Sequence, residues 1–451
     1  MSVANQERRR KADGLSRSVL AALALLATTA STAVADRTDN WFFDNLFEPN
    51  VERQSQPKMS KEEIAREEAK LLDQLSARVL YGSYESERSL AYALDRYQQL
   101  AQRGGWPQVP TGRTLRVGET DERVAFVRAR LEVTDGLKRT GGNAWEFDEY
   151  VEAAVKRFQR RHGIPPNGVV DRRTLEQMNV PVRARLEQLR INLVRTRELL
   201  AAGFPARYVI VNVPAMELQA VQDGQVQLAS RVIVGRPERA TPTVHARIKA
   251  LNFFPYWNVP DSVAFGDLIP KLLKDPAYLQ RERIRVQTDY GDAGQIVDPS
   301  FINWSSPEAQ SFKFRQEPGP QNALGLVRID MPNEHNVYMH DTPMKNLFGR
   351  SARAYSAGCV RVQRVFDLVA WLASANGDWD RARVDSVLMG GQALDVPLNA
   401  EVDVFFAYLT AWASQDGEVA FRSDIYGWDG SSDVLAQERE APTEDTLKLA
   451  P

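Results

Sequence analysis

The chain has 451 residues, with 57 Lys and Arg against 59 Asp and Glu, a formal net charge of −2 at pH 7. That near-balance argues against a nucleic-acid binder, which shows a basic patch, and a chain of this length is expected to form two or three domains. Hydrophobic residues make up 43% and there is one cysteine, so sizeable cores are possible and a disulfide scaffold is not.

The first 35 residues read as a signal peptide for export. Arg8, Arg9, Arg10, Lys11 and Arg17 form a basic start, Val19 to Ala27 an apolar run, and Ala33-Val34-Ala35 a small-x-small cleavage site before Asp36. The run is short for a bilayer span, so cleavage is expected in preference to a retained anchor. The residues after the arginines favour general secretion over the twin-arginine route. No later run approaches membrane length, and the mature protein is expected to be exported, disulfide-free and without a stable membrane span.

Residues 36–59 are polar apart from Trp41, Phe42, Phe43, Leu46 and Phe47, a stretch expected to fold back onto the body. Lys61-Glu62-Glu63-Ile64 opens a charged helix with Ser60 as N-cap, and helical periodicity continues with breaks to Gln102, where Gly104-Gly105 ends it. Residues 60–114 are thus a helical scaffold region. In 115–181, Val124, Val127 and Leu131 form one helical stripe. Tyr150, Val151, Ala154, Val155 and Phe158 form a second, beyond a loop with Gly141-Gly142-Asn143. Phe158-Gln159 leads through Gly163-Ile164 and Asn167-Gly168 to Asp171 and Thr174-Leu175, a helix, a glycine turn and a capped helix in close succession. A helix over 182–204 carries Leu186, Leu189, Leu193 and Leu200 on one side and arginines on the other.

From Arg207 the period changes to that of strands. Tyr208 to Val213 is a buried-strand run, Met216 to Val221 alternates, Asp223-Gly224 is a hairpin turn, and Val226 to Val234 returns. Turns at Gly235-Arg236-Pro237 and Thr241-Pro242-Thr243 precede Ile248 to Phe254, which predicts an antiparallel sandwich or small barrel. Residues 262–313 break the pattern with helical pieces at Phe265 to Leu273 and Tyr278-Leu279; a long insertion beside a sheet often acts as a lid. Strand signals resume at Leu326, and 430–451, rich in Glu, Ser and Pro, reads as a disordered tail. The predicted class is α+β and multidomain, with a catalytic domain over 205–429.

The chemistry centres on Cys359, in Arg-Ala-Tyr-Ser-Ala-Gly-Cys-Val-Arg-Val. An unpaired thiol in an exported chain is either a small buried hydrophobe or a nucleophile, and its neighbours favour the nucleophile. A thiol gains most from a base within reach. Of the four histidines, His162 lies in the helical module, His245 far upstream and His335 in a polar loop. His340 ends the strand from Asn336, sharing a face with Tyr338 and lying 19 residues before the thiol, and is preferred over His335. Val362, Val365, Phe366, Val369 and Leu372 have amphipathic spacing, which puts Cys359 just before a helix N-terminus where the dipole favours a thiolate. Backbone N–H groups there suit an oxyanion, Gly358 admits substrate closely, and Arg361 suits a carboxylate or a structural ion pair equally. Four scattered histidines and one cysteine give no metal-ligand spacing, so neither metal nor cofactor is expected.

These residues resemble two known families. The stretch Phe158-Gln159 to Leu175 is similar to the small three-helix peptidoglycan-binding module. His340 followed by Ser356-Ala357-Gly358-Cys359-Val360-Arg361 resembles the signature of the YkuD-type L,D-transpeptidases, with Ala357 where many members carry a second histidine, as in the large YcbB-like subclass. Trp257-Asn258-Val259-Pro260, Tyr338 to Pro343 and Thr410-Ala411-Trp412 resemble that subclass too. The resemblance implies a β-rich catalytic sandwich with 262–313 as a capping insertion, and a periplasmic enzyme of the Gram-negative envelope. It implies that Cys359 attacks a tetrapeptide stem of peptidoglycan between diaminopimelate and D-alanine. A diaminopimelate amine of a second stem then takes the thioester, and carbapenem inhibitors acylate the same cysteine. It further implies His340 as proton acceptor, Gly358 and Cys359 amides as oxyanion donors, and Tyr338 lining the pocket. Ser356 belongs to the signature, the backbone at Asp341 orients the imidazole, and Arg361 positions the donor stem. The alternatives are an L,D-carboxypeptidase, an enzyme attaching outer-membrane protein to the wall, and a non-catalytic peptidoglycan-binding scaffold.

Overall fold

A computed structural model describes residues 80–137, 143–291 and 294–430. The export segment, the aromatic stretch from Trp41 to Phe47, the Ser60 cap, Gly141-Gly142 and the tail from 431 onward lie outside the described residues. Among the described residues no helix is long and apolar enough to cross a membrane.

The first described helix, Tyr84–Gln102, begins at Ser83, whose Oγ accepts the Ser86 N–H while Ser86 Oγ accepts the Ser83 N–H. This reciprocal pair satisfies two otherwise orphaned donors. Helices Arg123–Thr134, Glu149–Arg161 and Arg172–Met178 follow, the last two capped by the carboxylates of Asp148 and Asp171. Val124, Val127, Leu131, Val151, Ala154, Val155 and Phe158 are all fully buried in one core. Tyr150, expected in that stripe, is instead 57% exposed. Val151, Ala154, Val155 and Phe158 already satisfy helical spacing, and a residue one position earlier is turned about 100° away. Gln159 is fully buried because its amide nitrogen reaches Asn167, the Val169 carbonyl and Thr174, holding helix, loop and next helix together.

The helix Val182–Ala201 buries Leu189 and Leu193. Not all of its arginines face out as expected: Arg185 is 4% exposed, its guanidinium 4.5 Å from the Phe421 ring centroid. The same interface holds Arg161, which pairs with Asp135 at 2.5 Å and donates to the Val419 carbonyl at 2.6 Å. Arg422 returns a bond to the Arg161 carbonyl at 3.0 Å.

The strands are Arg207–Asn212 (β1), Glu217–Gln222 (β2), Gln225–Gly235 (β3), Val244–Phe253 (β4) and Trp257–Asn258 (β5). Then come Ile284–Gln287 (β6), Ile296–Val297 (β7), Lys313–Gln316 (β8), Val327–Asp330 (β9), Met339–His340 (β10), Ala354–Ser356 (β11) and Val360–Val362 (β12). The helices Val365–Ala373 and Arg381–Gly390 precede Leu394–Ala407 (β13), Ala411–Ala413 (β14) and Val419–Phe421 (β15). Asp223 and Gly224, both at positive φ, form the two-residue turn between β2 and β3.

Nine strands make one sheet in the order β11-β3-β12-β10-β9-β4-β13-β1-β2, and β2 also pairs with β3, so the strands close into a ring. The expected antiparallel pattern is corrected at three pairs: β1–β13, β10–β12 and β11–β3 are parallel. The cause is long-range, since β13 enters between β1 and β4 from far downstream. Val209, Val232, Ile248, Ile329, Met339 and Val360 are fully shielded in the core, with Leu368, Val369 and Leu372 of the helix Val365–Ala373 packed on them.

Residues Val259–Phe314 form a compact unit of their own. It contains short helices Asp261–Val263, Ile269–Lys274 and Tyr278–Arg281, a π turn at Ala264–Leu268, and the β6–β7 hairpin. Its two ends meet through Lys313 and Asp261 at 2.8 Å and the Val259 N–H donated to the Phe314 carbonyl.

Candidate active site

Strand β10 lies between β9 and β12. His340 is in register with Arg328 of β9 and with Arg361 of β12, and registered residues share a face of the sheet. The Val360 N–H donates to the Tyr338 carbonyl at 3.0 Å, so alternation puts Tyr338 and His340 opposite Cys359 and Arg361. Met339 and Val360 point to the other side and are fully buried, and that burial sets the face. Tyr338, His340, Cys359 and Arg361 therefore come together at one face of two neighbouring strands.

Cys359 is half-buried. The expected helix N-terminus is not beside it: β12 follows the cysteine directly and the helix starts only at Val365. Val360 to Val362 are all buried and β-branched or paired, so the sheet claims them before the helix can begin. Without the dipole, burial dominates and raises the thiol to about 11, against the opposing hydrogen bond from Tyr338 and the charges of Arg361 and Arg328. His340 is 4% exposed and lowered to about 3, by burial first and then by the Arg361 charge; main-chain carbonyls at Asp341 and Leu324 pull the other way. Its Nδ1 is buried without a hydrogen-bond partner. Thiol and imidazole are both neutral at pH 7.

The turn before the cysteine is held from two sides. Ser356 Oγ donates to the Cys359 carbonyl and accepts the Gly358 N–H at 3.2 Å. Since that N–H is committed, an oxyanion would take the Cys359 N–H or displace the bond. Gly358 has φ +116, a conformation side-chain-bearing residues rarely adopt. Its carbonyl accepts from Thr241 Oγ1 at 2.7 Å, and the same oxygen accepts the Gly235 N–H at 2.8 Å. Thr241 is fully buried and was not singled out in the sequence, where only a turn was visible.

Asp341 acts through its carboxylate as well as its backbone. Oδ2 accepts the Leu326 N–H at 3.0 Å and Oδ1 pairs with Lys345, so the side chain pins the loop before β9. Arg361 is 2% exposed, its Nε has no partner, and Nη1 reaches only Met344 Sδ at 3.8 Å. No carboxylate pairs with it among the described residues, so of the two expected roles the structural ion pair is absent. Burial lowers its pKa to about 10. The other histidines are elsewhere: His162 bonds the Phe158 carbonyl, His245 bonds Asp403, and His335 lies beside Glu334. No group of His, Cys, Asp and Glu among the described residues is arranged to hold a metal ion.

Residues 206–388 match the L,D-transpeptidase catalytic domain family, YkuD. The chain carries a YkuD L,D-transpeptidase catalytic domain. Residues 120–178 match a putative peptidoglycan-binding domain, placing that module ahead of the YkuD domain. A putative L,D-transpeptidase of Haemophilus influenzae is 36% identical over 222 residues, 49% of this chain and 44% of that protein. The chain thus spans under half the length of the curated relative it matches. Among solved structures, an L,D-transpeptidase of Stackebrandtia nassauensis aligns at 13% identity and TM-score 0.23, over 66% of this chain and 96% of that one. L,D-transpeptidase 3 of Mycobacterium tuberculosis, in complex with a faropenem-derived adduct, aligns at 11% identity and TM-score 0.22, over 45% and 60%.

Proposed function

We propose that the protein is a periplasmic L,D-transpeptidase that joins diaminopimelate residues of neighbouring peptidoglycan stems through a thioester on Cys359. The observation that carries this is the placement of the chain's one thiol, half-buried, across from Tyr338 and diagonal to His340 within the YkuD domain. In the first step the Cys359 proton passes to His340 while sulfur attacks the carbonyl carbon between diaminopimelate and D-alanine. The developing oxyanion takes the Cys359 N–H. The C–N bond then breaks, the imidazolium gives its proton to the leaving amine, and D-alanine departs from a thioester. In the second step an acceptor amine attacks, His340 takes its proton, and the sulfur leaves to be reprotonated. The unpaired Arg361 is suited to a carboxylate of the donor stem.

We take 115–181 as the wall-binding module, 182–204 as a connecting helix and 205–429 as the catalytic domain with its insertion at about 262–313. The test is incubation of the purified chain with disaccharide-tetrapeptide, followed by mass spectrometry. Dimers linked through diaminopimelate, absent with Cys359→Ala, support the proposal. Tripeptide alone indicates hydrolysis, and no product with a folded protein refutes it. Covalent addition of a carbapenem at Cys359 is expected in the same assay.

A further inference from the structure

The loop that holds the nucleophile turn is itself held from outside the matched catalytic domain. Residues 235–241 fold back so tightly that a Cβ on Gly235 would stand 2.2 Å from the Arg239 carbonyl oxygen and 2.6 Å from the Thr241 nitrogen. The loop lies against the turn, with the Ala240 carbonyl oxygen 3.7 Å from where a Cβ on Gly358 would stand. Thr241 Oγ1 reaches the Gly358 carbonyl from this folded-back shape. Tyr426 closes the loop. Its hydroxyl donates to the Gly235 carbonyl at 2.6 Å and accepts the Thr241 N–H at 3.2 Å, bridging the two ends. Tyr426 lies well beyond residue 388, where the YkuD match stops.

The phenol is fixed in turn. Its ring stacks on Tyr408 at 5.5 Å and meets Trp428 at 5.0 Å, and its N–H donates to the Tyr408 hydroxyl at 2.9 Å. Tyr408 donates to Asp424 Oδ1 at 2.5 Å, and the same carboxylate accepts the Trp428 and Asp429 N–H groups. Resting on Cys359 as the nucleophile, we infer that Tyr426 is a positioning residue: its hydroxyl braces residues 235–241 so that Thr241 fixes the turn carrying the thiol. Tyr426 acts on that turn only through Thr241, so their effects on it must be non-additive.

Tyr426→Phe keeps the ring and removes the bridge. Hydrogen exchange of the full-length protein, read by mass spectrometry, should then quicken about tenfold in peptides covering 235–241 and 354–360, while β1 and β13 keep the parent rates. Carbapenem acylation of Cys359 at saturating inhibitor should slow about tenfold, with little change in the concentration that gives half the maximal rate. With Thr241→Val already present, Tyr426→Phe should slow acylation by less than about twofold more. Should the phenylalanine variant not fold, 4-aminophenylalanine at 426 keeps a donor for Gly235 but accepts poorly from Thr241, and should still quicken exchange at 354–360. Parent-like exchange at 354–360, quickening spread equally over β1 and β13, or an equal acylation effect with and without the Thr241 hydroxyl overturns the inference. Exchange at 354–360 needs no reaction at Cys359, so its failure is distinguishable from failure of the proposed transpeptidation.

Discussion

Replacing Thr241 by valine tests whether the nucleophile turn is held from β3. The hydroxyl is fully buried, donates to the Gly358 carbonyl at 2.7 Å and accepts the Gly235 N–H at 2.8 Å. Valine keeps the shape but leaves both backbone groups without that partner. Each buried polar group so orphaned costs about 1–3 kcal/mol, so the pair amounts to roughly 2–6 kcal/mol. For a domain of this size each kcal/mol shifts Tm by about 2–4 °C, which predicts a fall on the order of 4–24 °C. The turn also positions Cys359, and a misplacement approaching 1 Å is expected to slow acylation by a carbapenem about 10- to 100-fold. Thermal unfolding followed by tryptophan fluorescence and stopped-flow acylation read the two effects. Thr241→Ser retains the hydroxyl and should recover most of both. If Thr241→Val melts within about 1 °C of the parent and acylates at the same rate, the clamp is not what holds the turn.

Gly358→Ala places a side chain at φ +116 and should cost about 1–2 kcal/mol while abolishing most carbapenem acylation; full acylation by mass spectrometry would refute it. Alkylation of Cys359 in the free enzyme should climb toward a midpoint near 11, with no plateau at neutral pH, and a midpoint below 7 would show a preformed thiolate. His340 and His162 are both lowered, chiefly by burial, so each favours the folded state fully above its unfolded value near 6.5. That contribution is lost as pH falls toward about 3, and denaturant midpoints measured between these limits should decline steadily. Asp135→Asn leaves Arg161 buried beside an uncharged partner and should destabilise the chain by about 3–5 kcal/mol, read from its unfolding midpoint.

What was legible in the sequence was local. The buried-strand run up to Val213, the Asp223-Gly224 turn and the spacing of Val151, Ala154, Val155 and Phe158 each depend on neighbours in the chain. So does the face shared by Tyr338 and His340, and these appear in the structure as expected. The parallel pairs were not legible, because β13 reaches β1 across the whole YkuD domain. The helix dipole failed for a related reason. Val360-Arg361-Val362 fits a strand as well as a helix start, and only the register with β10 and β3 decides it. Thr241 was visible only as part of a turn, since its partner at Gly358 is brought near only by the fold.

Loss of the helix dipole changes how the proposed chemistry must begin. With the thiol raised to about 11 and the imidazole lowered to about 3, chiefly by burial in both cases, the neutral pair is the resting form and a free thiolate–imidazolium pair is disfavoured. Proton transfer is therefore expected to accompany sulfur attack. Arg361 cannot remove the cost alone, because its charge favours the thiolate and disfavours the imidazolium together. A donor carboxylate placed on that guanidinium would relieve the imidazole, which makes substrate binding the step that lets the proton move.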